Sequence, residues 1–172
     1  MYKLVGVFCI LAGCVGFGNL KVRQDKERIR HLRELIRMIR RIQDEISYGK
    51  HTLPEICLIL AKISDVWYVP YFEEIHRQVM QGDSTGLKEV WREQMEACIK
   101  SLPLQQEEKD VMIQLPACLG LQEETRQARG IGQAAELLTG RCRKAEEAYE
   151  NRAKMIHSVS ILAGLLLSIL LL

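Results

Sequence analysis

Apolar positions crowd the two ends of this 172-residue chain and recur with helical spacing in between. The first apolar run is Leu4-Val-Gly-Val-Phe-Cys-Ile-Leu-Ala-Gly-Cys-Val-Gly-Phe-Gly-Asn-Leu20. The second is Val159-Ser-Ile-Leu-Ala-Gly-Leu-Leu-Leu-Ser-Ile-Leu-Leu-Leu172, preceded by Met155 to Ser158. Each is near the lower length limit for a helix crossing a hydrocarbon core about 30 Å thick. Gly6, Gly13, Gly16 and Gly18 in the first run are tolerated in membrane helices and permit close packing. The pattern predicts an N-terminal transmembrane segment at 1–20, a helical domain at 21–154 and a C-terminal transmembrane segment at 155–172.

The central region reads as helix throughout, because no run alternates apolar and polar positions with β-branched residues. The first helix of this region runs from about Lys21 to Tyr48. Its stripe is Ile29, Leu32, Ile36, Ile39 and Ile46, widened by Leu35 and Ile42. The opposite face is charged, and Arg30–Glu34, Arg40–Asp44 and Arg41–Glu45 are spaced to pair one turn apart. Gly49 is a fitting terminator. Thr52-Leu-Pro-Glu55 has the form of a capping box with proline in the first turn, opening a mostly apolar second helix to about Ile63.

Pro70 opens a third helix, through Tyr71, Phe72, Ile75 and Val79, that ends near Gly82. A fourth runs from about Thr85 to Ser101, with the stripe Leu87, Val90, Trp91, Met95, Cys98 and Leu102. A fifth spans about Gln105 to Leu119, and Pro116 inside it predicts a kink or an early end. A sixth starts near Glu123 and runs without a break into the terminal apolar run. Its stripe is Ile131, Leu138, Cys142, Ala145 and Tyr149. Gly130, Gly132 and Gly140 weaken it by about 1 kcal/mol each relative to alanine, so they mark either close helix contacts or a bend. Helix, glycine and capped helix at Gly49–Glu55 recur faintly at Gly82–Trp91. The predicted fold is all-α: an antiparallel bundle of about six helices between N- and C-terminal transmembrane helices.

Charge fixes the expected topology. The formal net charge of +2 argues against nucleic acid as a partner. Residues 21–50 hold ten Lys/Arg against five Asp/Glu, whereas residues 51–103 hold five against eight. Arg141, Arg143, Lys144, Arg152 and Lys154 precede the second run. Basic residues beside spans stay in the cytoplasm, so the central domain is expected inside, with the lipid bilayer as a partner. Six cysteines show no CxxC and no zinc spacing, and a reducing cytosol predicts free, buried thiols. Leu11-Ala-Gly-Cys14 has the look of a lipoprotein processing site, which would invert the topology. Against it, an apolar Val15-Gly-Phe-Gly and then basic charge follow where a polar tether is usual.

Residues for chemistry are present without geometry. His31, His51, His76 and His157 are scattered, and none has a second ligand one turn away. His31 and His76 fall on charged helix faces, so surface or interface roles are expected. The chain has no GxxxxGK[ST] and no GxSxG. Adjacent carboxylates such as Glu73-Glu74 point about 100° apart on a helix and cannot share one substrate. No catalytic, cofactor-binding or metal-ligating residue is therefore assigned. Trp67, Tyr68, Tyr71 and Phe72 form the densest aromatic cluster, fit for core packing or for a partner contact.

Several segments carry a resemblance. They are Arg30-His-Leu-Arg33, Asp44-Glu-Ile-Ser-Tyr-Gly49, Leu53-Pro54, Gly82, Lys88-Glu-Val-Trp91, Val111-Met-Ile-Gln-Leu115, Leu119-Gly120, Lys154-Met155 and Leu162-Ala-Gly-Leu-Leu. In these, over nearly its full length, the chain resembles the stage III sporulation AB family of endospore-forming bacteria. Pro116 and the glycines at 130–140 depart from the family pattern. The resemblance implies a soluble part like the helical cytoplasmic domain of the type II secretion and type IV pilus platform protein, the F component. It implies a non-enzymatic platform that couples a cytoplasmic assembly ATPase, the stage III sporulation AA protein, to machinery in the membrane. Other stage III sporulation membrane proteins would be partners, and a homo-oligomer is left open. The implied place is the mother-cell membrane around the forespore, in a channel-like complex.

Two alternatives remain at the level of sequence: a membrane-anchored coiled-coil adaptor built on Ile29–Ile46, and the lipoprotein with an extracytoplasmic domain. If the first helix rises about 1.5 Å per residue, the membrane-distal loops hold the expected partner contacts. These are Gly49, Lys50 and His51; Gly82, Asp83 and Ser84; and Gly120, Leu121 and Gln122.

Overall fold

The computed structural model describes the backbone of residues 2–48, 51–81, 86–119 and 124–171. It describes the side chains of 20–48, 51–81, 86–118, 126–156, 158, 159 and 162. Six helices and no strand occur among the described residues. They are α1 (Tyr2–Ser47), α2 (Leu53–Ile63), α3 (Val69–Met80), α4 (Leu87–Ile99), α5 (Gln106–Leu119) and α6 (Glu124–Leu171). The all-α expectation holds. The first and last helices are longer than the polar segments alone predict, because α1 and α6 continue as helix through the apolar runs. Among the described residues no helix is long and apolar enough to cross a membrane. The predicted spans at 1–20 and 155–172 have most of their side chains outside those residues.

The chain divides into two compact units, Met1–Ile29 with Arg143–Leu172, and Arg30–Cys142. In the first, the Arg152 guanidinium donates to the Asp25 carboxylate, joining α6 to α1. In the second, α2 packs on α3, α3 on α4 and α4 on α5. Its core is built from Leu32, Leu35, Met38, Ile39 and Ile42 of α1, Phe72 and Ile75 of α3, and Val90, Trp91 and Met95 of α4.

Local chemistry sets the boundaries. Glu55 accepts from the Thr52 backbone N–H at 2.7 Å and from its hydroxyl at 2.8 Å, so the predicted capping box forms. Glu108 serves α5 in the same way, accepting from the Gln105 N–H at 2.8 Å while fully buried. Pro116 does not end α5, which runs to Leu119. Proline lacks an N–H, so the carbonyl four residues back, Met112, loses its helical donor. The Trp91 indole N–H takes that place and donates to Met112 O at 2.8 Å.

The glycines of α6 separate into two kinds. A Cβ on Gly130 would meet Cys118 Sγ at 3.0 Å and its Cβ at 3.3 Å, and one on Gly132 would meet the Gln43 side chain at 3.0 Å. These two are close contacts. Gly140 faces open space.

Candidate functional site

Helix α1 carries two different faces between residues 30 and 46. The inward face includes His31, Leu35, Met38, Ile42 and Glu45, all buried. Their spacing of four and three residues is that of a packed helical seam. His31 was expected on a charged surface, and that expectation fails. His31 Nδ1 and Tyr68 Oη share a hydrogen bond at 2.9 Å inside the core, with the rings edge to face. Burial pushes the Tyr68 hydroxyl well above the usual phenol range, so it keeps its proton. His76 is half-buried and donates from Nδ1 to the Pro54 carbonyl at 2.9 Å, tying α3 to the first turn of α2.

The outward face is basic and concave. Arg33, Arg37 and Arg40 follow one another at i, i+4 and i+7, with Arg41 beside them, and all four line a groove of about 380 Å³. Ile36 and Ile63 give it an apolar floor, and Asp44 is the one carboxylate in the lining. Ile36 belongs to the predicted core stripe, yet it is only half-buried.

The groove is held in shape by α2's own terminus. Helix α2 ends at Ile63, whose carbonyl has no further helical donor. Arg37 donates to that carbonyl and, at 2.6 Å, to Glu34 Oε1. A cation at a helix C-terminus also meets the negative end of the dipole. Glu34 accepts in addition from the Asp65 N–H at 2.8 Å, which fastens the α2–α3 turn to α1. The next two residues of that turn, Val66 and Trp67, are 83% and 45% exposed. The aromatic cluster therefore splits. Tyr68 and Phe72 are core, Phe72 lying 5.9 Å from Trp91 between ring centres. Trp67 is half out and donates from Nε1 to the Cys98 carbonyl at 3.2 Å.

At the other end, Glu45 is buried to 8% side-chain exposure between a guanidinium and an imidazole. Arg41 lies at 2.5 Å and His51 Nδ1 at 2.6 Å. His51 is the one predicted contact residue with a described position. Its side chain is 40% exposed and its ring pairs with Glu45 near the end of α1. Gly49, Lys50, Gly82, Asp83, Ser84, Gly120, Leu121 and Gln122 lie outside the described residues.

The groove's chemistry suits binding. Four guanidiniums over an apolar floor, with Arg37 and Arg41 already paired to Glu34 and Glu45, make a basic lining of the kind that binds carboxylates. Among the described residues no three His, Cys, Asp or Glu side chains come together as a metal site. Cys57, Cys98, Cys118 and Cys142 are free thiols, the first two pushed up to about 12 by burial and so inert as nucleophiles. Sequence reasoning did not single out this groove. Its signal is the spacing of Arg33, Arg37 and Arg40, of which only Arg40 enters an expected ion pair, with Asp44. The expected pair Arg41–Glu45 forms; Glu34 also pairs with Arg37, and Arg30 lies 4.0 Å from Asp65.

The chain is similar to known proteins over its whole length. The family model described as Stage III sporulation protein AB matches residues 3–172. Stage III sporulation protein AB of Bacillus subtilis (strain 168) is 29% identical over 171 residues, covering 99% of both chains. A solved structure of Stage III sporulation protein AB superposes with a TM-score of 0.65 at 26% identity, covering 72% of this chain and 97% of that one. The chain belongs to the stage III sporulation protein AB family.

Proposed function

We propose that this protein is a non-enzymatic platform component of a sporulation-specific, secretion-like complex. It couples a cytoplasmic assembly ATPase, the stage III sporulation AA protein, to machinery in the mother-cell membrane around the forespore. The observation that carries this reading is that each apolar run shares an unbroken helix with part of the bundle, in α1 (Tyr2–Ser47) and in α6 (Glu124–Leu171). A continuous helix offers a route by which force from a bound ATPase would reach the apolar runs. The basic flanks favour a cytoplasmic bundle, and family membership supplies the sporulation context. The coiled-coil adaptor loses its motive, because Leu32, Leu35, Ile39, Ile42 and Ile46 are already buried within one chain.

A helix break tests the coupling. Lys154→Pro, at an exposed position of α6, removes one backbone hydrogen bond at a cost of about 3 kcal/mol. Sporulation should stop after engulfment while the ATPase still co-purifies with the full chain, and Lys154→Ala should sporulate normally. Normal spores from Lys154→Pro would refute force transmission through α6. An intact Met1–Cys14 peptide in mass spectra would dispose of lipoprotein processing.

A further inference from the structure

We propose that the groove between α1 and α2 docks an acidic, partly apolar segment of a protein partner. This inference rests on the platform function proposed above and gives it a binding surface. Charge sets the sign of the ligand: the lining holds Arg33, Arg37, Arg40 and Arg41 against Asp44 alone. The carboxylates of Glu34 and Glu45 that neutralise Arg37 and Arg41 are largely withdrawn, at 16% and 8% side-chain exposure. Spacing sets its form. Positions i, i+4 and i+7 on α1 place the Arg33, Arg37 and Arg40 guanidiniums in a row, which a row of carboxylates on one helix or strand complements.

The apolar parts set its class. Ile36 and Ile63 give a floor that a phosphate group leaves unsatisfied. Val66 and Trp67 stand exposed on the turn that Glu34 pins to the same stretch of α1. Arginine around apolar side chains, as in this lining, is a composition enriched at protein–protein interfaces. The wall is also pre-organised. Arg37 is fixed by the Ile63 carbonyl and Glu34, and Arg41 by Glu45, so less side-chain freedom is lost on docking.

The test uses the full chain in membranes of sporulating cells. Arg33→p-benzoylphenylalanine puts a photo-crosslinker on the groove rim, and the same replacement of Glu93, exposed on α4, is the control. Irradiation should give an adduct from position 33 alone, mapped by fragment sequencing to a protein segment rich in Asp and Glu with apolar residues among them. Arg40→Glu should lower the adduct yield by about tenfold, the effect of one lost hot-spot contact. Arg40→Lys should retain most of it, and both variants should melt like the parent. Lysines in place of the captured segment's carboxylates should restore the adduct in the Arg40→Glu chain.

Adducts to phospholipid, to nucleic acid or to a second copy of this chain overturn the proposal. So does a yield indifferent to Arg40→Glu, or the absence of any adduct. ATPase co-purification is scored in parallel. Its loss with the adduct intact overturns the platform function alone, and its persistence with no groove adduct overturns the groove alone.

Discussion

The inward and outward faces of α1 come from the same seventeen-residue stretch, 30–46, and differ in what satisfies their polar groups. On the inward face every polar side chain has a committed partner: His31 holds Tyr68, and Glu45 holds Arg41 and His51. A buried group without such a partner would cost about 1–3 kcal/mol, so this face is closed to newcomers. On the outward face the guanidiniums are exposed, in water, where ion pairs such as Arg30–Asp65 contribute little. Arg37 and Arg41 keep the partners that fix them, and the rest of that face can exchange its partners at low cost. The difference separates a surface that defines the fold from one free to recognise another molecule.

The sharpest test of this division is a pair of neighbouring residues. Leu35 is fully buried, whereas Ile36 lies half-buried on the groove floor. Leu35→Ala should cost about 2–5 kcal/mol, the transfer term plus a cavity. Ile36→Ala should cost well under half of that, since its site already opens to solvent. Equal losses in urea unfolding would mean that the floor is core and the groove is not a surface.

A second test asks whether satisfied polar groups really govern the interior. Trp91→Phe keeps an aromatic ring but strands the Met112 carbonyl, which Pro116 already deprives of its helical donor. The expected loss is about 1–3 kcal/mol. Pro116→Ala returns an N–H at the position that serves Met112. In that background Trp91→Phe should cost about 1 kcal/mol less, a coupling that a double-mutant cycle reads directly. Additive losses would remove the compensation argument.

These residues also show what the sequence could and could not disclose. The capping box at Thr52–Glu55 was legible because its four residues act locally. The stripes of α1, α4 and α6 were legible from period alone, down to Val90, Met95, Cys98, Ile131 and Leu138. His31 was missed although it stands in phase with Leu35, Met38 and Ile42, because its residue type argued for the surface more strongly than its phase argued for the core. Its partner Tyr68 lies 37 residues away, and no local rule pairs them. Pro116 predicts a kink or an early end, but the group that answers for its missing N–H sits on another helix. The groove needed the end of α2 to be placed against α1, which periodicity along one helix does not encode.

A smaller effect is expected in α6. Gly140 faces open space, so Gly140→Ala should stabilise by about 1 kcal/mol through helix propensity alone. Gly130→Ala should gain nothing or lose stability, because its Cβ would press on Cys118 at 3.0 Å. Thermal melts of the two variants should move in opposite directions, or only the first should move. Equal gains would deny the close approach of α5 and α6 at Gly130.

The smallest effects belong to exposed carboxylates, and pH separates them from the interior. Hydrogen bonds from Arg77 and then Gln78 hold the Glu74 carboxyl at about 2, and the Thr52 backbone N–H and then its hydroxyl lower Glu55. A folded value below the unfolded one binds fewer protons in the native state. The contribution is therefore present above the unfolded value of 4.5 and is lost as pH falls, for Glu74 through about 2. Glu55 is exposed and the Glu74 side chain is one-third exposed, so solvent screens them and the acid limb of the stability curve should be shallow. Glu74→Gln should flatten that limb between pH 4.5 and 2 and lower stability at pH 7 by the same small amount. A steep loss at pH 7 would place Glu74 in the interior's class, where partners are obligatory, and the contrast between closed and open faces would no longer rest on exposure.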